Sequence, residues 1–168
     1  MTIKRTEPPL NTDERTTLKA FLDYHRDTLL WKCEGLTDGQ LRQRAVPPST
    51  LSLLGLVRHM AEVERTWFRR VIDGEDVAFV WSDRGDFQVA YDARTSTRSE
   101  AFAAWEAEVA RSRDIEAAAP SLDVTGHFAR WEEDVSLRLV MVHVLLEYAR
   151  HNGHADFLRE AIDGTVGA

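Results

Sequence analysis

The sequence predicts an all-α fold, a four-helix bundle with a long crossover between its second and third helices. Three observations predict it. Four segments carry apolar residues at three-four spacing, each is bounded by capping or stop residues, and no alternating apolar-polar run is long enough for a useful strand.

The Pro8-Pro9 leader runs into Asn11-Thr12-Asp13-Glu14, where Asn11 reads as an N-cap and Glu14 as its N3 partner. Leu18, Phe21, Leu22, Leu29 and Cys33 then recur at helical spacing up to the stop at Gly35. Thr37-Asp38-Gly39-Gln40 repeats the capping pattern before a short helical turn, which Pro47-Pro48 closes. Leu53, Leu56, Met60, Val63, Trp67 and Val71 set the second long helix over about 52–72, ended by Asp73-Gly74. The connection that follows, of roughly 25 residues to Arg98, holds Trp81, Phe87 and Tyr91 and is too long for a tight turn, so it should cross the bundle end or lid a pocket. Phe102, Trp105, Val109 and Ile115 place the third helix over about 99–119, stopped by Pro120. After a polar stretch, 121–134, the last helix runs over about 135–162 to Asp163-Gly164. Four helices with one crossover satisfy the packing rules of a bundle, in which ligand and metal sites are built from inward-facing side chains.

A chain of 168 residues suits one domain, 1–168, with a core that needs no staples. Its 43% hydrophobic and 29% charged residues exclude a disordered or low-complexity protein. A net charge of −7 without a dense basic run argues against nucleic acid. The single Cys33 can make neither an internal disulfide nor a multi-thiolate site, which fits a reducing compartment. The apolar stretch 139–146 is interrupted by His143 and falls short of the ~20 residues of a membrane span, and the N-terminus lacks a signal-peptide core. A cytoplasmic protein is the expectation.

On the last helix Val140, His143, Glu147, His151, His154, Leu158 and Ile162 share one stripe, apolar at both ends and polar in its middle. A packing helix would continue with Leu or Val, so something inside the bundle needs nitrogen and oxygen donors. Glu147 and His151, four apart, can grip one ion; His143 with Glu147 and His151 with His154 are the competing pairs. One ion cannot engage both His143 and His154, which lie about 16 Å apart along the axis. His59, between Leu56 and Val63 on the second helix, is the candidate third donor. Two imidazoles and a carboxylate would suit Zn²⁺ and accept Ni²⁺, Fe²⁺ or Mn²⁺. Taken singly, a histidine on a helical face is more often a hydrogen-bonded residue than a ligand, and His25 and His127 are read that way.

Glu147-Tyr148-Ala149-Arg150-His151-Asn152-Gly153-His154, with Leu56-Val57-Arg58-His59-Met60, resembles the DinB-like superfamily, and within it the actinobacterial branch of mycothiol-dependent transferases and the N-terminal domain of maleylpyruvate isomerase. The resemblance runs from the first helix to Gly164. It implies a four-helix bundle holding a divalent metal, zinc or nickel, through His59, Glu147 and His151, with Glu147 where many members have His. His154 stands where many relatives carry Gln, which makes it a pocket residue and a candidate for catalytic proton transfer. The isomerase has a further C-terminal domain that this chain lacks, so its substrate is not carried over.

The resemblance thus implies a metal-dependent S-transferase, in which a small-molecule thiol, mycothiol or a similar one, takes the open metal position and attacks a small electrophile held under the Trp81–Tyr91 segment. Two readings compete: metal-activated hydrolysis at the same position, and a non-catalytic metal-binding bundle or homodimeric stress protein, for whose interface five tryptophans would be ample.

Overall fold

In the computed structural model, which describes residues 4–167, helix starts are set by side-chain caps. Residues 1–3 of the leader and residue 168 lie outside that range. Helix α1, Glu14–Lys32, begins at Asp13, whose carboxylate accepts from the Thr16 backbone N–H at 3.0 Å and from the Thr16 hydroxyl at 2.6 Å. Asn11 is therefore not the cap: a carboxylate two residues later takes two donors at once, and Glu14 becomes the first helical residue. The short α2, Asp38–Arg42, has the expected capping box between Thr37 and Gln40.

Helix α3, Leu53–Glu64, starts on the Ser52 hydroxyl and is buried on every side, more than one apolar stripe requires. It is the central helix, packed against α5 and α6, and its polar residues are consequently buried with it. The helix continues to Ile72 with π-helical backbone over Arg65–Ile72, closing with Asp73 N–H on the Phe68 carbonyl at 2.9 Å. Gly74, at φ 65°, takes the left-handed turn that ends it.

The crossover contains one further helix, α4, Phe87–Tyr91, begun by the Asp86 side chain on the Gln88 N–H. Two charged residues of α3 moor this connection on either side of His59. Glu62 accepts from the Val80 and Trp81 N–H groups at 3.0 and 2.9 Å, and Arg58 donates to the Ala90 carbonyl at 2.9 Å and to the Ser96 hydroxyl at 2.5 Å. At Gly55 a Cβ would lie 2.5 Å from the Tyr91 carbonyl oxygen, so glycine alone lets α4 sit this close to α3.

Helix α5 spans Arg98–Ala118, capped by Thr97. The polar stretch after it is not all loop: β1, Thr125–Phe128, pairs antiparallel with β2, Glu133–Ser136, in the register Thr125↔Ser136 to Phe128↔Glu133. Four-residue strands are too short for an alternation to show. Gly126 lies so near the Val71 carbonyl that any side chain would overlap it, which seats the hairpin on the π-helical segment.

Helix α6, Leu137–Asp163, starts on Ser136 and ends at Gly164, φ 78°, and packs along α1. The four long helices meet in one buried network. Arg26 of α1 makes a two-pronged pair with Glu64 of α3 at 2.8 and 2.9 Å, the Tyr148 hydroxyl of α6 donates to Glu64 at 2.8 Å, and the Trp105 indole of α5 donates to that hydroxyl at 2.8 Å. Around it Leu22, Leu29, Leu56, Met60, Val140 and Val144 belong to one contiguous apolar core. Among the described residues no helix is long and apolar enough to cross a membrane.

Candidate metal centre

The sequence placed its donors on the second and last helices, and the fold brings them together. His59 projects from α3 toward α6, where Glu147 and His151 occupy successive turns. One ligand atom from each of the three lies within 4.8 Å of the others. Glu147 Oε2 is 3.3 Å from His151 Nε2 and 3.5 Å from His59 Nε2, and the two imidazole rings are edge to face with centroids 4.7 Å apart.

Both histidines are only 5% exposed. Neither ring nitrogen of His59 has a properly aligned hydrogen-bond partner, although both are buried. Buried polar atoms are normally satisfied, so this is an unmet demand in the middle of the bundle. Burial above all lowers the pKa of His59, leaving the neutral imidazole that a cation requires. The His151 and His59 rings beside it, 3.3 and 3.5 Å away, hold the Glu147 carboxyl well below the usual range, so it is ionised. Two imidazole nitrogens and one ionised carboxylate, with His59 left unsatisfied, fit a divalent cation such as zinc or nickel.

The surroundings orient the ligands. His151 Nδ1 lies 3.2 Å from His154 Nδ1, so His154 can take the Nδ1 proton of His151 in a hydrogen bond and leave Nε2 free to coordinate. Tyr91 stacks on His59, and its hydroxyl is 3.2 Å from His151 Nε2. Burial, with Glu147 second, raises the Tyr91 pKa far above its ordinary value, so the phenol keeps its proton.

Of the competing donors, His143 stays outside the triad, its Nε2 3.9 Å from Glu147 Oε1 and its ring 4.3 Å from Trp67. His25 is engaged by Asn152 and His127 by Asp134 across the hairpin, as ordinary hydrogen-bonded histidines. Trp81 turns away from the site: its indole donates to the Arg58 carbonyl at 2.9 Å under the Arg58 guanidinium. Of the expected lid, α4 reaches the triad, through Tyr91 and through Phe87, whose ring meets His59 edge to face at 5.9 Å.

The triad opens into a cavity of about 640 Å³ whose rim carries Arg44, Arg94, Arg150, Asp92 and Thr50. A separate cleft of about 690 Å³, between the 79–88 segment and the hairpin, touches none of the three ligands. The sequence named Tyr91 only as part of a connection that should cross the bundle end or lid a pocket, with no role at the donors, and did not single out the arginine rim; Asp86 as a cap before Phe87–Tyr91 was the available signal.

The model of the mycothiol-S-transferase family matches residues 17–164, nearly the whole chain and both helices that bear the triad. The chain belongs to the mycothiol-S-transferase family. No curated protein matches the sequence. The match spans both helices that carry His59, Glu147 and His151, and these three residues line the cavity of about 640 Å³.

Proposed function

We propose that this protein is a metal-dependent thiol S-transferase, with His59, Glu147 and His151 holding one divalent cation and mycothiol or a similar thiol as co-substrate. The observation that carries the reading is the unsatisfied His59 Nε2, 3.5 Å from an ionised Glu147 and beside His151, in a solvent-open cavity. A divalent cation in that position supplies Lewis acidity, bringing a thiol whose pKa is ordinarily ~8.5 to the thiolate at neutral pH.

The chain's own groups do the rest. His154 holds the His151 ring in the coordinating tautomer, and as a cavity residue it is also the candidate to take up a proton from the incoming thiol. Tyr91, which keeps its proton, turns its hydroxyl to His151 in the same cavity and is the candidate donor to the thiol. Arg44, Arg150 and Thr50 on the rim offer hydrogen bonds to a polyhydroxylated thiol. Cys33 takes no part: it is fully buried, and burial pushes its thiol up to about 12.

Metal-reconstituted protein, mycothiol and a panel of electrophiles should give a thioether by mass spectrometry, with no product after chelation. Turnover without added thiol would instead indicate the hydrolytic reading.

The homodimer remains a proposal for the outer face of α6, where Leu139, Val142, Leu146 and Phe157 are exposed. Of the five tryptophans only Trp131 is exposed, so the others are spent within the fold. Sedimentation of the wild type beside Leu146→Glu tests it: a dimer that becomes a monomer in the variant is the expected result.

A further inference from the structure

His59 and Glu147 face two cavities. Besides the polar one, they border a recess of about 220 Å³ walled by Val63, Trp67, Phe87, Phe128, Trp131 and His143, with Arg130 as its one arginine. Five separate elements build it: Val63 comes from α3, Trp67 from the π-helical segment, Phe87 from α4, Phe128 and Trp131 from the hairpin, and His143 from α6. The rings are mutually packed. Trp67 lies 4.7 Å from Phe128 and 5.8 Å from Trp131, while Phe128 and Trp131 meet edge to face at 4.7 Å and 88°.

Two features set the recess apart from ordinary core. π-helical backbone is rare and recurs at functional sites, and here it presents Trp67. Trp131, a large apolar side chain, is held 50% exposed at the hairpin turn over an opening that ends on the triad. The two cavities differ in chemistry. An apolar molecule in the polar cavity would strip water from Arg44, Arg94 and Asp92 without replacing their hydrogen bonds, whereas the recess offers aromatic faces and edges. Its size suits a single ring, since an apolar cavity of about 150 Å³ already takes benzene.

We propose that this aromatic recess is the electrophile site, and that it selects a compact aromatic electrophile of the arylmethyl halide class, which reaches the thiol sulfur across the His59–Glu147 edge. The chemistry rests on the thiol-transfer reading; the binding does not. In the step, a sulfur electron pair forms the new bond to the benzylic carbon, the carbon–halogen bond breaks with its pair leaving as halide, and the thiol proton passes by way of His154 to water. No oxidant or reductant is needed.

The test separates binding from turnover. Calorimetric titration of the metal-loaded protein with 4-nitrobenzyl alcohol, an unreactive mimic, should show binding to the wild type that is roughly tenfold weaker in Trp131→Ala and largely recovered in Trp131→Phe. Phe21→Ala, which removes an exposed ring on α1, controls for non-specific aromatic contact and should leave the affinity unchanged. No binding, or equal affinity in wild type and Trp131→Ala, overturns the proposal. In the second arm, mycothiol with benzyl chloride or chloroacetamide, each corrected for its uncatalysed rate, should show a preference for benzyl chloride that falls in Trp131→Ala. Conversion of both with an unaltered preference removes the recess assignment and leaves thiol transfer intact. The expected binding with no conversion of either supports the recess and removes thiol transfer.

Discussion

Tyr91 lies parallel to His59, with ring centroids 4.4 Å apart and planes at 17°, while its hydroxyl reaches His151 Nε2 at 3.2 Å. One crossover residue therefore touches both imidazoles of the triad. Tyr91→Phe keeps the stacking and deletes the donor. We expect unchanged metal content and a kcat/KM for thiol transfer about tenfold lower, the scale of one hydrogen bond to a charged group. An unaltered kcat/KM would reduce Tyr91 to a packing residue.

Gly55 is what admits Tyr91. A methyl group there would stand 2.5 Å from the Tyr91 carbonyl oxygen, a backbone atom that cannot swing aside as a side chain would. Alanine ordinarily favours a helix interior by about 1 kcal/mol over glycine. Here overpacking of about 1–3 kcal/mol should outweigh that gain. Gly55→Ala is expected to lower the urea midpoint and weaken metal binding together; a more stable variant with normal metal affinity would show that α4 is free to move.

The Arg26–Glu64 pair ties α1 to α3, and Tyr148 adds α6. Glu64→Ala leaves Arg26 charged and buried, at a cost of about 3–5 kcal/mol. The double variant Arg26→Met with Glu64→Leu should recover to within about 1 kcal/mol of the wild type, because an apolar pair of similar volume needs no partner. Urea unfolding of the three proteins decides this, and a double variant as unstable as Glu64→Ala would point to Tyr148 as the group left unsatisfied.

Cys33 should be inert in the fold. Burial raises its pKa from 9.0 to about 12, so the native state retains a proton that the unfolded chain releases near pH 9. The folded value being the higher one, its contribution to stability is full below pH 9 and is lost as the pH climbs toward 12. A disulfide reagent at pH 8 is expected to titrate no thiol in native protein and one per chain in denaturant. Cys33→Ala should flatten the alkaline loss of stability; rapid native labelling would mean that the end of α1 opens.

The bundle was legible because burial leaves a period in the sequence. Leu53, Leu56, Met60 and Val63 face the core at helical spacing, and Thr37 with Gln40, Ser52 and Gly164 act as the caps and stops their types suggest. The cap at Asp13 was missed because Asn11, Thr12 and Asp13 are all good capping residues, and tertiary packing selects among them. The hairpin was missed because four-residue strands held by Gly126 against Val71 carry no alternation of their own.

At the site, His59, Glu147 and His151 stood out because histidine and glutamate interrupt otherwise apolar stripes. Spacing alone could not choose between His143 and His151, which both stand four residues from Glu147; the crossing of α3 over α6 chooses, bringing His59 to His151 and turning His143 to Trp67. Tyr91 was legible only as part of a possible lid, Trp67 only as core and Trp131 not at all, because an aromatic residue in a loop or at a helix end has the same sequence signature whether it fills core or lines a cavity.

The central claim is that His59, Glu147 and His151 hold a metal, and elemental mass spectrometry of chelator-free protein tests it most directly, wild type beside His59→Ala and His151→Ala with helicity checked by circular dichroism. The account predicts about one zinc or nickel per wild-type chain and near-complete loss in both folded variants. A wild type that takes up no metal even on reconstitution, or variants that keep it, would contradict the account.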